Sequence, residues 1–286
     1  YLGGTGDWAQ IRASLKNNLR SLDVQEEAAF KSPKVDVWGV ADADFLHECG
    51  AFLAQDQPPF FALVQTAGNH PPFTIPPHLP FQQAHPGQEA LSKAGFASDE
   101  EYNALRLMDW SVGRFFDEIR DQPWFRNTVF VLYGDHGVPR GNFDRRFGDL
   151  ALISHHVPFL IYAPGLIKPG RVTATASLMD VAPTVMSLLG RRVELRTLGR
   201  DALDPRFQDS GTAFTFTPFV SPSSYGLLRG DRYLTVRPGS PAQLFDLQDP
   251  KGLDISAQHP DETRELAELA RATRAWSRYL LSHNKP

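Results

Sequence analysis

Cysteine is almost missing: Cys49 is the single one in 286 residues, which excludes an internal disulfide and any cysteine-built metal cluster. Set in Cys-Gly-Ala-Phe-Leu, it reads as a small buried hydrophobe. No apolar run approaches the ~18 residues needed to cross a bilayer, and no signal-like segment opens the chain. A surplus of one charge is absent too. At a net charge of −4, with 22% charged and 42% hydrophobic residues, the composition is that of an ordinary globular protein. Its Lys and Arg are scattered rather than striped, which argues against a nucleic-acid footprint. No Gly-x-Ser-x-Gly elbow occurs, so a serine hydrolase is discounted. The first residue is Tyr1 rather than Met, and processing or truncation upstream is expected.

What is present centres on Thr128-Val-Phe-Val-Leu-Tyr-Gly-Asp-His-Gly137, a short apolar strand that stops at two metal-type ligands, Asp135 and His136. Adjacent side chains in a strand point to opposite faces, so this pair can grip one ion only if the strand ends at Gly134 and the backbone turns. Gly134 and Gly137 are expected to permit that turn. A carboxylate beside an imidazole suits Zn²⁺, Mn²⁺ or a similar divalent cation. The alternative is a polar strand-to-loop turn with a capping Asp, and the tetrapeptide alone does not choose between them.

A chain of this length holds one large α/β domain, or one domain and a small appendage. A glycine-rich loop precedes a short helix within residues 1–18, Val35 to Val40 reads as a short strand, and Asp42 opens a helix to about Gln55. Pro58 to Thr66 reads as a second apolar strand running into Gly68-Asn-His-Pro-Pro-Phe73, which puts His70 just beyond a strand end. Residues 76–93 have no period and read as a long loop in which His78 and His85 are solvated. Ser98 and Glu101 form a capping box for a long helix, and residues 138–154 suggest an irregular rim. Another buried strand follows His155 and His156. Asp180 caps a helix that ends at Gly190, a purely architectural role. After about residue 205 come short alternating strands (214–219, 226–229, 233–237 and 243–247), with a hairpin turn at Arg229-Gly230-Asp231. A final helix starts at Pro260 and presents Leu266, Leu269, Thr273, Trp276 and Leu280 on one face.

This order predicts an α/β three-layer sandwich with a mostly parallel sheet over residues 1–205, and a small antiparallel subdomain with a closing helix over 206–286. Ligands gather beyond the carboxyl ends of strands in such sheets, so His70 and the Asp135-His136 pair are expected to share a cleft. His155 and His156 precede their strand. They reach that cleft only if the strand runs antiparallel to its neighbours.

Five segments in order, 64–73 (Val-Gln-Thr-Ala-Gly-Asn-His-Pro-Pro-Phe), 132–137 (Leu-Tyr-Gly-Asp-His-Gly), 156–165, 180–184 (Asp-Val-Ala-Pro-Thr) and 244–250, resemble the sulfatase-type domain of the alkaline phosphatase superfamily. The resemblance is to its lipoteichoic acid synthase and phosphoglycerol transferase branch. It implies an alkaline phosphatase-like fold and one divalent ion, manganese or magnesium with zinc or calcium as alternatives, held in part by Asp135 and His136. By the same resemblance His70 and His156 act on the transferred phosphate, and His155 and Trp8 contact substrate.

The implied activity is a phosphoglycerol-type transfer from a lipid to an envelope acceptor through a covalent phospho-enzyme. A sulfatase or phosphatase of the same superfamily, or a catalytically inactive binding module, are the alternatives. The implied partner is a lipid or glycan phosphodiester on the outer face of the cytoplasmic membrane, with a membrane anchor in a segment outside this chain. The acidic metal ligand and threonine nucleophile of the family's first third have no match here, nor has the formylglycine signature Cys-x-Pro-x-Arg.

Overall fold

Ser98 shows how the sequence starts an element. Its extended backbone breaks the preceding loop, and its hydroxyl accepts the Glu101 N–H at 3.3 Å, satisfying one of the amides a helix leaves open. Glu101 reaches back one residue further than a standard box, accepting the Ala97 N–H at 2.9 Å. The computed structural model describes residues 1–7, 10–137, 152–191, 194–207, 210–217 and 223–283. They fall into two compact units, Tyr1–Thr128 and Val129–Lys285.

The first unit contains α1 (Ile11–Asn18), β1 (Lys34–Asp36), β2 (Gly39–Val40), α2 (Asp42–Leu53), α3 (Gln88–Ala94) and α4 (Asp99–Ile119). Its core forms where α2 meets α4: Phe45, Leu46, Cys49 and Leu53 on one helix, Leu107 and Ile119 on the other, are all buried. Burial pushes the Cys49 thiol pKa well up, so Cys49 behaves as the inert hydrophobe its setting suggested. Ala43 and Leu107 close over Leu79, with Phe81 and Trp110 beside them. Asn103, fully buried, ties down the loop before α3 by exchanging two hydrogen bonds with the backbone of Ala84. The tail of the stretch read as loop is helix α3.

The stretch from Pro58 to Thr66 is not a regular strand. Leu2 bridges it in parallel at Val64, donating its N–H to Leu63 O and accepting from Gln65 N, both at 2.9 Å. Leu2 also bridges Gln25 in parallel. The parallel pairing expected of the main sheet is thus present, among the described residues, as bridges rather than ladders.

In the second unit β3 (Phe130–Tyr133) pairs antiparallel with β4 (Phe159–Tyr162), Phe130 opposite Tyr162 and Tyr133 opposite Phe159. Then follow α5 (Val181–Leu188) and the sheet β5 (Thr212–Thr217), β6 (Ser224–Arg229), β7 (Arg232–Val236) and β8 (Gln243–Asp246), antiparallel in that spatial order. Gly230, at φ 56°, supplies the left-handed residue that the two-residue turn between β6 and β7 needs.

The two faces of this sheet do different things. One face carries Tyr225, Leu227, Leu234, Val236 and Leu244, which pack on α6 (Pro260–His283). The other carries Tyr233 and Phe245, which bury Leu152. On α6 the covered side chains are Leu266, Ala267 and Ala270, whereas Leu269 and Trp276 are exposed. The expected stripe is therefore about a quarter of a turn off, sharing Leu266 with the covered one. Small alanines let the helix approach the sheet closely, and periodicity alone cannot tell a covered stripe from an uncovered one. No helix among the described residues is long and apolar enough to cross a membrane.

Candidate active site

The ribbon β3–β4 creates the site by its direction. Because the strands are antiparallel, the start of β4 lies beside the end of β3, and the residues before β4 meet the residues after β3. Gly134 N donates to Pro158 O at 3.2 Å and Gly137 N to Ser154 O at 2.9 Å, so residues 134–137 are laid along residues 154–158. The condition for His155 and His156 to join the Asp135-His136 rim is met. Both histidine amides donate to Leu152 O at 2.9 Å, which closes a tight turn in front of β4. Leu152 is the residue buried against Tyr233 and Phe245, so the four-stranded sheet seats this turn.

Gly134 and Gly137 serve close approach rather than a left-handed turn, since neither has a positive φ. A Cβ on Gly134 would lie 3.1 Å from Val157 Cβ, and one on Gly137 would run into the Ile153 carbonyl oxygen.

Between the glycines, Asp135 Oδ1 accepts the His136 N–H at 2.9 Å, and Oδ2 lies 3.9 Å from His136 Nε2. His136 Nδ1 is 3.0 Å from Gly137 O. A carbonyl only accepts, so this contact assigns the proton to Nδ1 and the lone pair to Nε2, the arrangement a metal-ligating imidazole requires. The side chains of Asp135 and His136 are 76% and 54% exposed, so the pair lies at the surface. His155 is half-buried, with Nε2 3.4 Å from Thr217 Oγ1, and burial holds its pKa below the usual histidine value. His156 is exposed.

His70 belongs to the first unit and is described there. Its imidazole is stacked on Trp38, ring centroids 4.2 Å apart and planes 22° from parallel. The loop before it is pinned by Asp42, whose carboxylate accepts the N–H groups of Ala67 (3.0 Å) and Gly68 (2.9 Å). Asp42 is only 4% exposed. Burial pushes its pKa up, against the pull of the two N–H donors.

The sulfatase family model matches residues 6–191, well over half of the chain. This chain belongs to the sulfatase family. The matched span includes His70, Asp135, His136, His155 and His156 and leaves out the four-stranded sheet and α6. Lipoteichoic acid synthase of Staphylococcus saprophyticus is 27% identical over 167 residues, 53% of this chain and 24% of that protein. Arylsulfatase K of Gallus gallus is 28% identical over 186 residues, 57% of this chain and 34% of that protein. Among solved structures, a protein of the alkaline phosphatase superfamily from Vibrio parahaemolyticus superposes with a TM-score of 0.72 at 23% identity, over 97% of this chain and 64% of that one. The fold is accordingly alkaline phosphatase-like. The sulfatase-family chain spans about a quarter to a third of the two curated relatives it matches here.

Does the Asp-His pair of this sulfatase-family chain fit a divalent ion? In a tetrahedral shell two metal–ligand bonds of about 2.1 Å put their donor atoms ~3.4 Å apart, and the 3.9 Å between Oδ2 and Nε2 is about 0.5 Å longer, a gap that rotation of two largely exposed side chains closes. An anionic oxygen and a neutral nitrogen make a suitable donor set, supplying half of a four-coordinate shell. Among the described residues no group of three His, Cys, Asp or Glu gathers as a complete site.

Other polar residues have different duties. His78 and His85 are exposed as expected, and each touches a carboxylate, Asp44 at 2.8 Å and Asp99 at 2.7 Å. Asp180, 3% exposed, accepts the N–H groups of Ser177 (2.8 Å) and Arg200 (2.9 Å), while Thr184 Oγ1 accepts that of Ala202 at 2.9 Å. These bonds staple the segment after α5, the architectural role expected of Asp180. Trp8 and the 138–151 part of the expected rim fall outside the described residues. Trp38 and Asp42 were not signalled as site residues: an Asp at a helix start looks like an ordinary cap, and a Trp beside a turn glycine looks like core.

Proposed function

We propose that this chain is the greater part of an extracytoplasmic, metal-dependent phosphotransferase domain of the lipoteichoic acid synthase type, moving a phosphoglycerol-like head group from a lipid to an envelope acceptor. The observation that carries the reading is the antiparallel ribbon, which gathers an Asp-His pair and a His-His pair on one exposed rim. In this reading residues 1–205 form the catalytic part, and residues 206–286 form a subdomain that braces it.

Asp135 contributes an anionic oxygen and His136 a neutral nitrogen to a divalent ion, manganese or magnesium by the family resemblance. When bound, such an ion neutralises developing charge and acidifies a coordinated hydroxyl. The nucleophile itself is a hydroxyl that none of the motifs in this chain supplies. His70 and His156 donate to the transferring oxygens or protonate the leaving alkoxide, a contribution of about 10²–10⁴ in rate. His155, which burial favours in its neutral form, offers one donor and one acceptor to substrate rather than a charge. Trp8 is assigned to the same substrate side by resemblance.

The test uses the full-length protein. Asp135→Ala and His136→Ala are expected to lose both bound metal, read by elemental analysis, and phosphodiester turnover. Retention of both in either variant overturns the reading. A sulfatase is the second reading, favoured by the equal match to an arylsulfatase. Turnover of a sulfate ester with none of a phosphodiester, together with a cysteine or serine in the formylglycine signature as nucleophile, would select it over the first.

A further inference from the structure

Trp38 and Asp42, at the two ends of a five-residue stretch, grip the His70 loop from two sides. Asp42 opens α2, where a carboxylate ordinarily serves the amides of its own helix. It makes no cap bond there. Instead its two oxygens reach across to the N–H groups of Ala67 (3.0 Å) and Gly68 (2.9 Å), ahead of His70. Trp38 takes the other side: its Nε1–H donates to Pro71 O at 2.7 Å, just after His70, and its indole covers one face of the imidazole. The backbone is thus fixed both before and after His70, and the ring is fixed by stacking.

Burying a carboxylate is costly unless its oxygens are bonded, so a site that keeps one 4% exposed on two loop amides spends stability on geometry. Gly68 fits the same account, because a Cβ there would lie 2.5 Å from Asp42 Oδ2. A side chain at position 68 would push the loop off its anchor.

We propose that Asp42 and Trp38 are positioning residues for His70, fixing the direction in which its imidazole edge meets the transferred group. The inference rests on His70 as a substrate contact and deepens that reading.

The experiment follows the ring protons of His70 by ¹H–¹³C NMR in the full-length protein, assigned with His70→Gln. The stacked indole is expected to shift them upfield. Trp38→Leu abolishes the shift. Asp42→Ala and Gly68→Ala, the second leaving the buried carboxylate in place, move it toward the value of free histidine, and Asp42→Asn, which keeps one acceptor oxygen, recovers part of it. The same variants lose about tenfold or more in kcat with little change in KM, as expected when a reacting group is misdirected.

An upfield shift unchanged in Gly68→Ala and in a folded Asp42→Ala overturns the proposal. Wild-type turnover in His70→Gln would instead remove the catalytic reading of His70, while the ring shifts would still report whether the clamp exists.

Discussion

The second unit contains two antiparallel sheets stabilised by opposite means. In the sheet β5–β8, Leu227, Leu234 and Leu244 are within 1% of complete burial against α6, whose Leu266 and Ala270 are fully buried. In the ribbon β3–β4, Leu160 is 61% exposed, Tyr162 46% and Tyr133 44%. The sheet is held by apolar area removed from water. The ribbon end that carries Asp135, His136, His155 and His156 is shaped by backbone hydrogen bonds and by two closely packed glycines, of which Gly137 admits no side chain. Residues that hold the fold and residues proposed to perform chemistry are therefore separate sets, joined at Leu152.

The largest effect should come from breaking the sheet. Leu266→Ala or Leu234→Ala removes a wholly buried side chain with little room to collapse, and about 2–5 kcal/mol of unfolding free energy should be lost in urea titrations. A loss under about 1 kcal/mol at both positions would deny the sheet its role as the anchored half. Next comes Gly137→Ala. Its methyl group must displace the Ile153 carbonyl, an overpacking worth about 1–3 kcal/mol, and the displacement should also lower metal retention without altering the α6 packing. An alanine variant with wild-type metal content would show that the two turns need no close contact.

A smaller effect depends on pH. Burial lowers the folded-state pKa of His155, so below the unfolded value of ~6.5 the unfolded chain binds more protons than the folded one. The contribution of His155 is then complete above about pH 6.5 and is lost as pH falls toward the depressed folded value. For one group the slope cannot exceed about 1.4 kcal/mol per pH unit, and partial exposure reduces it. Comparing urea midpoints of the parent and His155→Asn from pH 5 to 7.5 isolates the slope. Parallel curves would mean that His155 is as solvated folded as unfolded.

The same division decides what could be read from the sequence. Elements closed by their own local pattern were legible: the cap at Ser98, the helix from Pro260, the turn at Gly230, and the alternation in β5 to β8, whose ends shift by only one or two residues wherever the expected end lies among the described residues, as residues 218–219 do not. The Asp135-His136 pair and the two histidines before β4 were legible as candidate ligands, and their meeting could be stated as a condition on strand direction, which the antiparallel pairing of β3 and β4 meets. What failed needed partners distant in sequence. Pro58 to Thr66 has the composition of a strand but, among the described residues, pairs only with Leu2, and Asp42 reveals its target only when residues 67 and 68 are folded beside it. On α6, Leu266 heads two stripes, and nothing in the spacing says that the one through Ala270 is covered.

The comparison can be sharpened with a single residue type. Leu160 in β4 and Leu234 in β7 are both leucines inside antiparallel strands, β4 paired with β3 alone among the described residues and β7 with both β6 and β8, and they differ in burial, 61% exposed against 0%. Leu160→Ala should change unfolding free energy by no more than about 0.5 kcal/mol, the usual range for surface substitutions, against the several kcal/mol expected at Leu234. A leucine-to-alanine change removes no backbone hydrogen bond at either position, so the difference is chiefly one of burial. A loss at Leu160 as large as that at Leu234, measured in the full-length protein, would show that a further segment or partner covers this face of the ribbon. The site would then lie on a packed sheet rather than on an open ribbon, and metal retention should fall in the same variant.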